Sequence, residues 1–208
     1  MIPVRPSKIV CVGRNYVAHA KELGNEVPPL PMLFFKPPSA LIGSGEPIVL
    51  PSTSRQVEYE AEIGVVVGAR LQQVDEREAE RGIGGYVCLN DVTCRDLQKT
   101  DGQWGRAKGY DTFCPVGPAI ARGLDWRSLE VVGRVNGEER QRAPATDMHF
   151  QIPFLVSYIS GIMTLEPGDL IATGTPAGVG PLRAGDVVEV EIPGVGILSN
   201  PVHDGSTR

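Results

Sequence analysis

The sequence predicts an α+β fold that is mainly β, built from short strands with a few short helices, and three observations carry that expectation. The stretch Val57-Glu58-Tyr59-Glu60-Ala61-Glu62-Ile63-Gly64-Val65-Val66-Val67 alternates acidic and apolar side chains and ends in a β-branched run, the period-two pattern of a strand. Asn136-Gly137, between the strand-like residues 129–135 and 138–142, is the strongest local hairpin signal because it suits a type I′ turn. Glycine and proline, 25 and 18 of the 208 residues, exceed their usual share and favour many strands joined by turns over a helical bundle.

The remaining composition narrows the class. With 41% hydrophobic and 22% charged residues the chain reads as globular, and its length suits one domain over residues 1–208. A formal net charge of -5 without any run of Lys or Arg argues against a nucleic-acid partner. No stretch reaches the length of a membrane span, and residues 1–8 lack the apolar segment of a signal peptide, so a cytoplasmic location is expected. Cys11, Cys88, Cys94 and Cys114 form no CxxC pair and show no structural-zinc spacing, which suits reduced thiols.

In chain order, residues 8–12 form an apolar strand that Gly13-Arg14-Asn15 breaks. A helix is expected over 16–23, with Asn15 as its N-cap and Gly24 as its stop. His19 and Glu22, three apart, share one helix face, where a carboxylate orients an imidazole as a general base; the same spacing also suits a solvated surface pair. Residues 25–31 are polar and then proline-rich and cannot continue the helix, so residues 16–32 are expected to act as a flexible lid. Residues 33–36 read as a strand whose Lys36 either meets an anionic group or faces water.

The acidic strand follows. Glu58, Glu60 and Glu62 share one face with Cα spacings of about 6.6 Å, close enough for long side chains to converge. Such stacked carboxylates need positive charge beside them, and a divalent oxygen-seeking cation supplies it. Residues 75–81 read as an exposed helix that only connects. Residues 86–93 read as a buried strand interrupted at Asn90-Asp91, where Asp91 requires either a turn bond or a cation. Arg95 to Gln98 is a helical turn, and Lys108 reads as a solvated charge in a glycine-rich loop. Residues 153–163, with Pro153 in the first turn, form a helix packed on the sheet, while His149 and His203 are structural or exposed. The strand 170–173 enters the glycine-rich segment 174–180, whose spacing is not that of a phosphate loop; it makes either a backbone-lined carboxylate site or a tight turn. Residues 186–192 and 196–199 pair across Pro193-Gly194.

Several of these pieces occur together in one family: Gly13-Arg14-Asn15-Tyr16 with His19 and Glu22, Phe35-Lys36-Pro37, Tyr59-Glu60-Ala61-Glu62, Asp91-Val92-Thr93-Cys94-Arg95-Asp96, Ala107-Lys108, and Thr173-Gly174-Thr175-Pro176-Ala177-Gly178-Val179-Gly180. Over nearly its whole length the chain resembles the fumarylacetoacetate hydrolase family, closest to short members that act as acylpyruvases, such as fumarylpyruvate hydrolases, or as oxaloacetate decarboxylases. The resemblance implies the family's C-terminal-domain fold, a mixed β-sandwich or roll, usually in a homodimer. It implies Mg²⁺ or Mn²⁺ on Glu60, Glu62 and Asp91, with Glu58 left over, and a water-activating pair of His19 and Glu22. Lys108 resembles the lysine that assists at the substrate oxyanion, and Arg14, Lys36, Gln98, Gly174 and Thr175 match positions at or near the substrate. Cys94 stands where a small or apolar residue is expected. The implied reaction is hydrolysis of the C–C bond of 2,4-dioxo acids such as fumarylpyruvate, giving pyruvate and a carboxylic acid. Decarboxylation of oxaloacetate or isomerisation of 2-hydroxyhepta-2,4-diene-1,7-dioate is the alternative on the same scaffold. A non-catalytic metal- or ligand-binding module is the rival of another class.

Overall fold

The computed structural model describes residues 4–205, so the first three residues of the N-terminal stretch considered above lie outside it. In chain order the strands are β1 (Ile9–Gly13), β2 (Met32–Lys36), β3 (Leu41–Ile42), β4 (Ile48–Leu50), β5 (Val57–Tyr59), β6 (Ala61–Val67), β7 (Ile83–Asn90) and β8 (Thr93–Cys94). They continue as β9 (Cys114–Ala121), β10 (Glu130–Val135), β11 (Glu138–Pro144), β12 (Leu170–Ala172), β13 (Gly180–Pro181), β14 (Val187–Ile192) and β15 (Gly196–Asp204). The helices are α1 (Val17–Glu22), α2 (Glu76–Arg81), α3 (Arg95–Asp101), α4 (Gly105–Lys108) and α5 (Ile152–Ile162). The fold is thus mainly β with few short helices, as expected.

A seven-stranded mixed sheet runs β2-β1-β12-β6-β7-β9-β3, beside a five-stranded sheet β11-β10-β14-β15-β4 and a three-stranded one β13-β5-β8. The large sheet is covered on both faces, and the period of two sorts its side chains. Val10 and Val12 of β1, with Ile63, Val65 and Val67 of β6, enter the cluster shared with α5, β10 and β14. Ile9, Cys11 and Val66 point the other way, into a cluster with Val87, Leu89 and Val116. Burial on both faces explains why β6 after Glu62 is apolar without alternation.

The hairpin forms as predicted: Asn136 and Gly137 take φ of 54° and 79°, the two positive angles a type I′ turn requires, between the antiparallel β10 and β11. Helix α5 carries Pro153 in its first turn and buries Ile152, Leu155, Val156 and Ile159. All four cysteines are buried free thiols, Cys94 within the cluster of Val57, Val92 and Phe113. His149 and His203 are exposed.

Several expectations change. Helix α1 is capped not by Asn15 but by Tyr16, which makes no side-chain cap bond. Asn15 is fully buried instead: its Nδ2 donates to the carbonyls of Phe150 and Thr173, and its Oδ1 accepts from the Phe150 N–H. A clamp on two distant segments outweighs one cap bond because those backbone groups are otherwise buried without partners. Helix α2 does more than connect, since Ala79 is fully buried and Val74 just before it bonds Ser157 and Ser160 of α5. The acidic strand is not continuous: β5 stops at Tyr59 and β6 starts at Ala61, leaving Glu60 in an interruption. The strand expected over 86–93 likewise divides, with Asp91 between β7 and β8 in different sheets.

Candidate active site and metal centre

Where those two strands break, their ends are tied together: the Asp91 N–H donates to the Glu60 carbonyl at 2.9 Å, and Asn90 Oδ1 accepts from the Glu60 N–H at 3.0 Å. The result is a buried triad of Glu60, Glu62 and Asp91, each offering one carboxylate oxygen, with these oxygens all within 4.8 Å of one another. The charge that the sequence demands comes partly from side chains far along the chain. Lys108 Nζ donates to Glu60 Oε2 and Asp91 Oδ2 at 2.7 Å each, and Lys36 Nζ donates to Asp91 Oδ1 at 2.6 Å. Arg95 donates through Nε to Glu58 and through Nη2 to Glu60, both at 2.7 Å, and through Nη1 to Gln98 at 2.6 Å. Glu58 is therefore an ion-pair partner rather than a spare carboxylate.

Both lysines are buried: Lys36 meets an anionic group, Asp91, rather than water, and Lys108 is not the solvated charge its glycine-rich surroundings suggest. Lys108 lies in α4 rather than a loop, its ammonium 4.9 Å from the centre of the Phe34 ring. Burial opposes the charged form of Lys108, but Asp91 and Glu60 outweigh it and raise its pKa. Burial likewise pushes the Glu60 carboxyl up, and Lys108, Arg95 and His19 together hold it well below the usual carboxylate range. Glu62 behaves oppositely. Burial and the charges of Asp91 and Glu60 push its carboxyl well up, with the Gly174 N–H the main opposing group.

Among the described residues three cations thus face the four carboxylates Glu58, Glu60, Glu62 and Asp91, and none of them is in hydrogen-bond contact with Glu62. A buried carboxylate left without a counter-charge, one ligand spacing from two others, fits a hard divalent cation with oxygen preference.

The 174–180 segment binds carboxylates through its backbone, but they are the protein's own. The Gly174 N–H donates to Glu62 at 2.8 Å, and the Gly178 N–H donates to both oxygens of Glu22 at 3.0 and 3.2 Å. Gly174 has φ of 102°, and a Cβ there would lie 2.8 Å from the Asn15 Cβ, so glycine is required for the amide to reach Glu62. Glu22 also lies 3.2 Å from His19 Nδ1. An N–H on Nδ1 facing that carboxylate leaves Nε2 as the basic nitrogen.

His19, Glu22, Glu60, Glu62, Lys108, Arg14, Gln98 and Thr175 line one cavity of about 530 Å³. Asp91 and Gly174 stand behind its wall, bonded to the lining Lys108 and Glu62, and Lys36 lies one step further back, bonded to Asp91 and the Val92 carbonyl. Lys36 is thereby a support for Asp91 rather than a group facing the cavity. Phe34 and Trp104, in edge contact with centroids 5.2 Å apart, supply an apolar wall. Arg14 holds φ of 58°, uncommon for a residue other than glycine, at the cavity edge.

The sequence marks Asn90 only as part of a strand interruption and gives Arg95 and Gln141 no role at the site. Arg95 belongs to the Asp91–Asp96 motif, where nothing local shows its ion pairs to Glu58 and Glu60. Gln141 had one faint signal: in a hairpin strand of charged residues, it and Ala143 occupy alternate positions on one face, and both are buried.

Residues 8–203 match the family profile described as "Fumarylacetoacetate (FAA) hydrolase C-terminal". The chain is 45% identical over 195 residues to the mitochondrial oxaloacetate tautomerase of Arabidopsis thaliana, covering 91% of this chain and 87% of that one. It is 43% identical to the mitochondrial oxaloacetate decarboxylase of Dictyostelium discoideum, covering 90% of this chain and 89% of that one. Among solved structures it is similar to fumarylpyruvate hydrolase from Pseudomonas aeruginosa in complex with Mn²⁺ and pyruvate. That match has a TM-score of 0.89 and 34% identity, covering 97% of this chain and 91% of that one.

Proposed function

The chain belongs to the fumarylacetoacetate hydrolase family, and on that premise we propose that it is a Mg²⁺- or Mn²⁺-dependent enzyme that cleaves acylpyruvates to pyruvate and a carboxylic acid. The observation that carries this reading is the His19–Glu22 pair, 3.2 Å apart, lining the same cavity as Glu60 and Glu62. Glu60, Glu62 and Asp91 would hold such an ion, which when bound would supply Lewis acidity toward a 2-oxo acid.

The chain's own residues move the protons. His19 Nε2 takes a proton from water while Glu22 fixes the ring and balances the imidazolium. The hydroxyl oxygen adds to the distal acyl carbon, and the bond from that carbon to the methylene breaks. Its electron pair enters the pyruvate enolate, and the proton on His19 returns to the methylene carbon. Lys108, kept charged by its carboxylate neighbours, adds positive potential beside that oxyanion.

A second reading is favoured by the names of the Arabidopsis and Dictyostelium relatives: oxaloacetate as substrate, with CO₂ lost to give the same enolate, or a proton moved at C3 by His19. Purified protein with Mn²⁺ is offered fumarylpyruvate, acetylpyruvate and oxaloacetate, and pyruvate is measured together with the carboxylic acid or CO₂ formed, alongside the keto–enol exchange of oxaloacetate. Turnover of an acylpyruvate is expected. Turnover of oxaloacetate alone would replace the hydrolase reading by the second, and turnover of none would overturn both.

Arg14 and Lys99 stand at the cavity without an ion-pair partner among the described residues, which suits a second carboxylate at the far end of the substrate. Arg14→Met and Lys99→Met are each expected to raise KM for fumarylpyruvate about tenfold, the effect of roughly 1.4 kcal/mol. KM for acetylpyruvate, which lacks that carboxylate, should stay within about twofold; equal effects on both substrates would exclude this role. Exposed apolar side chains at Leu30 and at Phe35 on the edge strand β2 support a second copy of the chain as partner.

A further inference from the structure

We infer that Gln141 is a positioning residue that keeps the metal-binding carboxylates in register with the His19–Glu22 pair. The inference rests on the metal-centre reading and extends it to a side chain outside the cavity. Gln141 is 1% exposed, although Arg140 and Arg142 beside it on β11 are exposed.

Its amide joins two elements that share no strand pairing with β11. Oε1 accepts from the Ala61 N–H at 3.0 Å, and Nε2 donates to Thr175 Oγ1 and to the Pro176 carbonyl, both at 2.7 Å. The partners fix the orientation of the amide, because a backbone N–H only donates and a carbonyl only accepts. Packing holds it there. A Cβ on Gly133 would lie 3.0 Å from Gln141 Oε1, and one on Gly178 would lie 3.2 Å from Gln141 Cγ.

Both ends of this bridge matter for the site. Ala61 is the residue between Glu60 and Glu62, at the interruption where side chains replace strand partners: Asn90 takes the Glu60 N–H and Gln141 takes that of Ala61. The path of the chain between two carboxylate ligands therefore depends on those two acceptors, since a buried N–H without one is costly. At the other end, Thr175 and Pro176 lie between Gly174, whose N–H holds Glu62, and Gly178, whose N–H holds Glu22. Docking of α1 through Glu22 and the spacing of Glu60 and Glu62 are thus connected through this amide, beside one direct bond in which the Thr175 hydroxyl donates to the Ala61 carbonyl at 2.9 Å. Glutamine suits the position because it offers one acceptor and two donor hydrogens; glutamate lacks the donors and leucine lacks both.

The test is Mn²⁺ titration of the full chain, read by the electron spin resonance of free Mn²⁺, with kcat measured in parallel. Gln141→Leu is expected to raise the Mn²⁺ dissociation constant at least tenfold, and Glu22→Ala to raise it about threefold. In the Gln141→Leu background, Glu22→Ala should add less than its effect alone, since the Thr175–Ala61 and Gly174–Glu62 bonds still join the two segments. Folded Gln141→Leu binding Mn²⁺ within twofold of the unsubstituted chain, or single effects that multiply in the double variant, would overturn the proposal. A merely structural glutamine would lower the unfolding midpoint of the metal-free protein and leave Mn²⁺ affinity unchanged. Should Gln141→Leu not fold, Gln141→Glu decides, because it keeps the acceptor for Ala61 and loses both donors. Its kcat is expected to fall at least tenfold with less loss of Mn²⁺ affinity, and a kcat within twofold would overturn the coupling. If the unsubstituted chain binds no Mn²⁺, the metal-centre reading fails and this inference falls with it.

Discussion

Glu62→Gln is expected to abolish Mn²⁺ binding while leaving the metal-free protein as stable as before. Among the described residues no cation is in contact with Glu62; its bond is from the Gly174 N–H, from which a glutamine oxygen also accepts. Burial and the charges of Asp91 and Glu60 push its carboxyl up, and a neutral amide in its place keeps the bond to Gly174 and removes those repulsions, at a cost within about 1 kcal/mol. Binding to the folded state alone stabilises by about 2.7 kcal/mol when the ion is at 100 times its dissociation constant. For a chain of this size that is a rise in Tm of roughly 5–10 °C. The shift should be present in the unsubstituted protein and absent in Glu62→Gln, as followed by thermal unfolding without the ion and with free ion at about 100 times its dissociation constant for the unsubstituted protein. A full shift in the variant would remove Glu62 from the ligand set. The contrast with Glu60 is instructive: Glu60 carries ion pairs to Lys108 and Arg95, so its replacement strands buried cations and destabilises the protein even without metal.

His19→Ala is expected to lower kcat by about 10²–10⁴, the usual contribution of a positioned general base, while the Mn²⁺ dissociation constant changes little. The two readouts separate because His19 touches Glu22 and faces the cavity, whereas the ligand oxygens come from Glu60, Glu62 and Asp91. Retained turnover would exclude the imidazole as the base. Retained physiological activity would favour the rival in which the fold serves as a metal- or ligand-binding module.

Much of this was legible in local pattern. The alternation of Glu58, Glu60 and Glu62 announced converging carboxylates, and Asn136-Gly137 announced the turn that joins β10 to β11. The spacing of His19 and Glu22 placed them on one helix face, where the structure finds them in contact. Lys36 and Lys108 are harder, because a lysine followed by turn residues suits solvent locally, and an anionic partner stays open for Lys36 alone. They are buried because Asp91 and Glu60 lie beside them, and no periodicity links residues 36 and 108 to residues 60 and 91. Asn15 shows the same limit from the other side: its local preference for capping α1 lost to buried carbonyls at Phe150 and Thr173.

By itself, then, the sequence determined the strand-rich class, the turn chemistry and which side chains share a face, since these follow from backbone geometry over a few residues. Only the tertiary structure decided how the carboxylates are neutralised and held, through Lys36, Arg95 and Lys108 as counter-charges, Gly174 and Gly178 as amide donors, and Gln141 as the bridge. Electrostatic compensation and hydrogen-bond satisfaction in a buried site act between groups close in space, whatever their separation along the chain.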